Sequence, residues 1–117
     1  MKIKFILSFA LTGFLLSACG TLTSTTTIDA NNGFVLGDNQ HGTFSARMKN
    51  ISENDVEIHR VPADGGHHSF ETVKPGQTKK VKVEKNTALI IDNKSNNKVS
   101  VELVVQGDTG LSMGYKN

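Results

Sequence analysis

The sequence of 117 residues contains a single cysteine, Cys19, so the chain cannot form an internal disulfide. It has no tryptophan and one tyrosine, which leaves few aromatic rings on which nucleic-acid bases could stack. Its longest apolar run, residues 5–16, is shorter than the roughly 20 residues that a membrane-spanning helix needs. These shortages argue against a disulfide-stapled domain, a nucleic-acid-binding protein and a helical membrane span.

The first 20 residues have the organisation of a secretory targeting segment. Lys2 and Lys4 form a short positive region, and the apolar run 5–16 follows. The run ends in the letters LSAC, residues 16–19. This order of charge, apolar run, leucine, two small residues and cysteine resembles the lipobox of bacterial lipoproteins.

The resemblance implies that signal peptidase removes residues 1–18 and that Cys19 becomes the first residue of the mature protein. It also implies a diacylglyceryl thioether on the Cys19 sulfur and an acyl chain on the new amino group. Two or more chains anchor a protein stably to a membrane. Gly20 in place of an acidic residue implies, for a Gram-negative organism, the outer membrane facing the periplasm. No cofactor beyond these lipids is expected.

The charge of the mature chain differs from that of the whole sequence. The sequence has 13 basic and 11 acidic residues, and two of the basic ones, Lys2 and Lys4, fall in the predicted leader. The mature chain therefore carries 11 of each. A neutral domain lacks the basic face that binding to a phosphate backbone requires. We expect no nucleic-acid partner.

The mature chain divides by composition into two parts. Residues 19–32 are small and polar apart from Leu22 and Ile28, and this composition predicts a lipidated cysteine followed by a flexible tether. Residues 33–117 are long enough for one small core, which predicts a single domain.

Apolar residues in this domain recur with a period of two, which is typical of β-strands. Alternation or short apolar runs mark eight segments, at 33–36, 44–48, 56–59, 68–73, 80–84, 88–91, 99–105 and 111–115. Turn-forming residues separate them. The sequence therefore predicts an all-β domain, a small antiparallel β-sandwich of seven or eight strands, Ig-like or jelly-roll-like.

One nine-residue pattern, N-x-S-x-N-x-V-x-[IV], occurs at 50–58 and again at 93–101. Each copy joins an apolar strand to an alternating one. Asparagine and serine side chains bond to nearby backbone and favour turns, so the pattern predicts a β-hairpin. Convergent turn chemistry and an ancestral duplication are both consistent with the repetition.

Histidines form the most suggestive cluster, with His67 and His68 adjacent and His59 upstream. Neutral imidazole binds zinc or copper. Adjacent residues on a strand point to opposite faces, and no third ligand lies at a spacing familiar from zinc sites. We therefore expect no metal site, with these three residues as the candidates if one exists.

Catalytic motifs are missing from the sequence. Ser69 follows His68, but there is no G-x-S-x-G elbow and no glycine-rich phosphate loop. We expect a protein that is not an enzyme.

The expected function is that of a lipid-anchored, non-catalytic binding or structural module of the cell envelope, with an envelope protein or polysaccharide as partner. A ligand- or metal-binding domain using the His59, His67 and His68 region is the first alternative, and an envelope enzyme is the second.

A run of lysines also stands out, and two roles fit it. One is protection of an exposed sheet edge, which we favour, and the other is contact with anionic head groups. Its members are Lys74, Lys79, Lys80, Lys82 and Lys85.

Overall fold

The computed structural model describes residues 19–66 and 68–116, and all the regular elements in these ranges are β-strands. In chain order they are β1 (Cys19–Ile28), β2 (Gly33–Leu36), β3 (Phe44–Asn50), β4 (Val56–Pro62), β5 (Ser69–Val73), β6 (Thr78–Val83), β7 (Thr87–Asp92), β8 (Val99–Asp108) and β9 (Met113–Tyr115). The predicted leader, residues 1–18, lies outside the described residues.

The strands form two antiparallel sheets. The four-stranded sheet has the order β1-β8-β3-β6, and the five-stranded sheet has the order β5-β4-β7-β2-β9. An eight-strand jelly roll places strands 1-8-3-6 against strands 5-4-7-2. The chain therefore has jelly-roll topology, with β9 added beside β2. The prediction of an all-β antiparallel sandwich is confirmed.

The core lies between the two sheets and is built by alternation. In β8, for example, Val101 and Leu103 are buried while Glu102 is exposed and Ser100 is half-buried. The predicted phase of this strand is confirmed, and its position between β1 and β3 places it inside its sheet. The largest fully buried side chains are Phe44, Ile28, Leu36, Met48, Leu89 and Ile91.

The predicted tether is the part of the chain where the structure differs most from expectation. Residues 19–28 form β1, which pairs with β8 along its whole length, from Cys19 opposite Asp108 to Ile28 opposite Val99. The prediction of a flexible segment from 19 to 32 is wrong for these residues, and the domain does not begin at residue 33. Threonine is β-branched and suits a strand. Polar side chains occupy some of the inward positions of β1. The alternation of inward and outward residues therefore does not show as an alternation of apolar and polar residue types.

The two edge strands of the four-stranded sheet, β6 and β1, differ in charge. Strand β6 lies at one edge, as the lysine run predicted, and Lys80 and Lys82 are exposed there. Lys79 instead pairs with Glu71 of β5, at an Nζ–Oε1 distance of 3.5 Å. Charges on an edge strand discourage pairing with another chain. Strand β1, at the opposite edge, has no charged residue.

Tyr115 links the edge strand β9 of the five-stranded sheet to the edge strand β1 of the four-stranded sheet. Its hydroxyl donates to the Thr27 carbonyl at 2.9 Å, and its ring packs edge-on against Phe34. The two uncharged edges are therefore tied to each other near the end of β1.

The repeated N-x-S-x-N pattern does not form hairpins. The first copy joins β3 to β4 and the second joins β7 to β8, so each crosses from one sheet to the other. The hairpin prediction is therefore wrong, although the local turn chemistry is present. The first asparagine of each copy, Asn50 or Asn93, is fully buried and holds together the arch that follows it.

The two arches have the same hydrogen bonds. The Asn50 amide donates to the Asn54 carbonyl at 2.7 Å, and the Asn93 amide donates to the Asn97 carbonyl at 2.8 Å. Each asparagine oxygen accepts from the backbone N–H and the hydroxyl of the serine two residues later, at 2.6 to 3.0 Å.

Each amide also reaches the end of a more distant strand. Asn50 donates to the carbonyl of Val73, at the end of β5, and Asn93 donates to that of Ile28, at the end of β1. The pairs β3–β4 and β7–β8 hold equivalent places in the two halves of a jelly roll, and so do β1 and β5. The repetition therefore follows the internal symmetry of the fold.

Candidate functional site

The outer face of the five-stranded sheet presents His59 near its middle. His59 of β4 lies opposite Phe70 of β5 and opposite Ile90 of β7, and Ile90 lies opposite Val35 of β2. The four side chains form one row across the sheet. The rings of His59 and Phe70 are stacked, with centroids 5.2 Å apart. Phe70 is 61% exposed, the highest fraction among the exposed large apolar side chains of the described residues.

Two of the three candidate histidines come together at this row. His59 Nδ1 lies 2.9 Å from His68 Nε2, because His68 precedes β5 in the connection from β4 and can turn back over the sheet. His67 lies outside the described residues. The structure therefore joins His59 and His68 and leaves the third candidate without a description.

The other nitrogen of His59 faces a carboxylate. His59 Nε2 lies 2.9 Å from Glu57 Oε1. Both contacts are hydrogen bonds at once when His68 donates to His59 Nδ1 and His59 donates from Nε2 to Glu57. The hydrogen bond from His59 holds the pKa of Glu57 below its ordinary value, and the Lys94 ammonium acts in the same direction.

A second carboxylate faces the first across the strands. Glu57 of β4 lies directly opposite Asp92 of β7. Lys94 Nζ is 3.5 Å from Glu57 Oε1, and Lys116 Nζ is 3.8 Å from Asp92 Oδ1. Ligand atoms of Glu57, His59 and Asp92 all lie within 4.8 Å of one another. We call these three residues the Glu57–His59–Asp92 cluster.

Of this cluster, the sequence predicted only His59, from its residue type. Glu57 stands two residues before His59, on the same face of the same strand, and this was the signal available in the sequence. Asp92 is 33 positions from His59 in the numbering and joins the cluster only through the register of β4 with β7. A spacing argument cannot detect such a residue.

Two other side chains with groups that could bind a metal or react, His41 and Ser69, have structural contacts. His41 is buried, with Nε2 2.9 Å from the Thr87 carbonyl and Nδ1 2.6 Å from the Gly42 carbonyl. It also packs edge-on against Phe44. The Ser69 hydroxyl accepts from Arg60 Nε at 3.1 Å. Ser69 is therefore bonded to a guanidinium.

A cleft of about 800 Å³ lies where the β4–β5 and β6–β7 connections meet. Arg60, Lys82 and Lys85 line it together with Asp64 and Glu84, so its charges are mixed. Arg60 also donates from Nη1 to the Lys82 carbonyl at 3.3 Å, which ties the two sheets together at this point.

The chain matches no protein-family model and no curated protein sequence. Within residues 19–66 and 68–116, no helix has the length and apolar character to cross a membrane.

Proposed function

We propose that this chain is a lipid-anchored protein of the bacterial cell envelope, carried by Cys19 after removal of residues 1–18. The sandwich is a non-catalytic binding module that meets its partner through the outer face of the five-stranded sheet. The observation that carries this proposal is the exposed row centred on Phe70 and His59. The lipobox resemblance supports the anchor.

The position of β1 supports a close attachment to the membrane. Because β1 begins at Cys19 and pairs immediately with β8, no long tether separates the lipid from the folded domain. Gly20 and Phe44 both lie opposite Gly107. The connections 37–43 and 109–112 therefore lie at the same end of the sandwich as Cys19. The strands of both sheets extend away from that end. In this orientation the outer face of the five-stranded sheet stands upright and open to a partner.

The two outer faces differ in a way that supports one of them as the binding face. The outer face of the four-stranded sheet carries exposed polar residues, including Thr25, Arg47 and Glu102. On the five-stranded sheet, Phe70 is exposed and Ile90 and Val35 are half-buried. Aromatic residues are enriched where proteins bind one another, so the proposed partner is an envelope protein.

The anchor is tested by the substitution Cys19→Ser. A hydroxyl cannot form the thioether, so this variant will keep its leader and lose its lipid. Metabolic labelling with an alkyne analogue of palmitate, followed by a gel, measures both the label and the size of the chain. Equal labelling of the wild type and of Cys19→Ser would contradict the anchor.

The binding face is tested with a photo-crosslinking amino acid in place of Phe70 in living cells. The matched control carries the same amino acid in place of Arg47, which is exposed on the other sheet. We expect a discrete crosslinked protein band from position 70 and none from position 47. Bands of equal strength from both positions, or a polysaccharide smear from position 70, would contradict the proposed partner.

A further inference from the structure

We propose that Glu57, His59 and Asp92 bind a divalent transition-metal ion of the zinc class on the outer face of the five-stranded sheet. The proposal rests on side-chain geometry within the sheet and does not depend on the lipid anchor or on a partner protein. The sequence predicts no metal site, because adjacent strand residues diverge and no third ligand lies at a spacing familiar from zinc sites. The sheet supplies the additional ligands through its register.

The cluster has the dimensions of a small coordination site. Zinc lies about 2.0–2.2 Å from nitrogen and oxygen ligands, so ligands of a tetrahedral ion are about 3.4 Å apart. His59 Nε2 and Glu57 Oε1 are 2.9 Å apart, and ligand atoms of Glu57, His59 and Asp92, one from each residue, all lie within 4.8 Å of one another. Small side-chain rotations would bring the three atoms to that spacing. Three protein ligands leave one position open for water.

The strands hold the ligands in place before an ion arrives. Glu57 and His59 project from the same face of β4, and Asp92 projects from the adjacent β7. The Glu57, His59 and Asp92 side chains are 25%, 16% and 14% exposed. A site built on paired strands, with its side chains half-buried, loses little conformational freedom on binding.

The charges of the cluster favour a cation. Two carboxylates directly opposite on neighbouring strands repel each other. The lysines that offset them are Lys94, whose side chain is 64% exposed, and Lys116, whose side chain is 44% exposed, at 3.5 and 3.8 Å. Exposed ion pairs of this kind are weak. A divalent ion can therefore displace both ammonium groups while the strands stay in place.

His68 completes the arrangement from outside the coordination shell. When His59 Nε2 binds the ion, the His59 ring carries its proton on Nδ1, and the exposed His68 ring exchanges its own proton with solvent from Nε2 to Nδ1. His59 Nδ1 then donates to His68 Nε2 across the existing 2.9 Å contact. A hydrogen bond from the second ring nitrogen fixes the tautomer and the orientation of a ligating histidine, and its loss typically weakens binding about 10–100-fold. His68 is thus a positioning residue for the site.

The ligand chemistry selects the class of metal. Imidazole suits zinc, copper, nickel and iron, whereas magnesium and calcium prefer oxygen ligands alone. One nitrogen with two carboxylates therefore favours a transition metal.

The site lies toward the end of the sandwich opposite Cys19, because Asp92 ends β7 beside Gly33 at the start of β2.

The test uses the full chain extracted from cells in a non-ionic detergent and treated with a chelator. Zinc chloride is then added, and the melting temperature and a calorimetric Kd are measured. We expect the melting temperature to rise by several degrees at a hundredfold excess over Kd, with no comparable rise in magnesium chloride. The rise will vanish in Asp92→Asn, an isosteric change that removes a charge without removing volume.

Two further variants distinguish this site from an ion held between the two histidines. His68→Ala will weaken zinc binding about 10–100-fold without abolishing it. Asp64→Asn is the control: Asp64 has an exposed carboxylate in the β4–β5 connection, and this variant will bind zinc like the wild type. No rise in the wild type would overturn the proposal. So would binding that survives Asp92→Asn but is lost in His68→Ala, since that result would place the ion between the histidines. Palmitate labelling of the same samples reports on the anchor separately.

Discussion

A chain that begins at residue 33 will fail to fold into the sandwich, whereas a chain that begins at residue 19 will fold. Removing β1 uncovers one side of β8 along ten paired positions. It also deletes Ile28, which is fully buried and whose burial contributes about 1.5–3 kcal/mol. The Asn93 amide loses the carbonyls of Ile28 and Asp29 and keeps that of Asn97, and a buried N–H that loses its acceptor costs about 1–3 kcal/mol.

These losses together are a large part of the 5–15 kcal/mol by which a domain is typically stable. The comparison uses two fragments, 33–117 and 19–117, the second with Cys19→Ser so that no lipid is needed. Far-ultraviolet circular dichroism during urea unfolding measures their free energies of unfolding. A third fragment, 19–112, removes the three-residue β9 and serves as the control, with a smaller expected loss. A cooperative transition at the same urea concentration for 33–117 and 19–117 would contradict the prediction.

Strand β1 was not predicted, because a search for alternating apolar and polar residues detects a strand only when its inward positions are apolar. Leu22 and Ile28 mark the inward side of β1, but the inward positions between them hold Ser24 and Thr26. Thr26 is nevertheless buried, because β1 lies at the edge of its sheet and its inward side covers the margin of the core. An edge strand with small polar residues has the composition of a linker. Its partners on β8 lie between 71 positions away (Ile28 opposite Val99) and 89 positions away (Cys19 opposite Asp108), which local pattern cannot reveal.

The other strands were predictable because their inward positions are strongly apolar. The order of the strands was not, since the same pattern fits Ig-like and jelly-roll sandwiches. One feature did carry topological information: the repeated N-x-S-x-N pattern marks equivalent arches in the two halves. A hairpin was a wrong interpretation because turn chemistry determines the local bend and does not determine which sheet the next strand joins.

The candidate site shows the same division between local and long-range information. His59 was a candidate from residue type alone, and the loop position of His68 lets it meet His59 despite the divergence expected for neighbours on a strand. Asp92 stood outside every sequence motif. Its place beside Glu57 follows from the pairing of β4 with β7, which is a property of the fold.

The second large expected effect is the loss of stability when Asn50 or Asn93 is replaced. These two asparagines are the fully buried polar residues that hold the arches together. Asn93→Ala will lower the free energy of unfolding by about 2–4 kcal/mol, and Asn50→Ala by a similar amount. In each case the carbonyls that accept from the amide lose their donor, and the serine two residues later loses its acceptor. For a domain of this size the loss corresponds to roughly 10–25 °C in melting temperature.

Two further changes make the measurement specific to the buried amides. Asn96→Ala is the control, because Asn96 is exposed and its side chain accepts from Asn31 at the surface, at 3.2 Å; we expect a change within about 0.5 kcal/mol. Asn93→Asp keeps an acceptor for Ser95 but turns a carboxylate toward carbonyl oxygens, so it will destabilise at least as much as Asn93→Ala. Thermal melts of the 19–117 fragment carrying Cys19→Ser give all four values. If Asn50→Ala and Asn96→Ala proved equally mild, the arches would not be equivalent supports, and the repeated pattern would be turn chemistry without a structural role in the core.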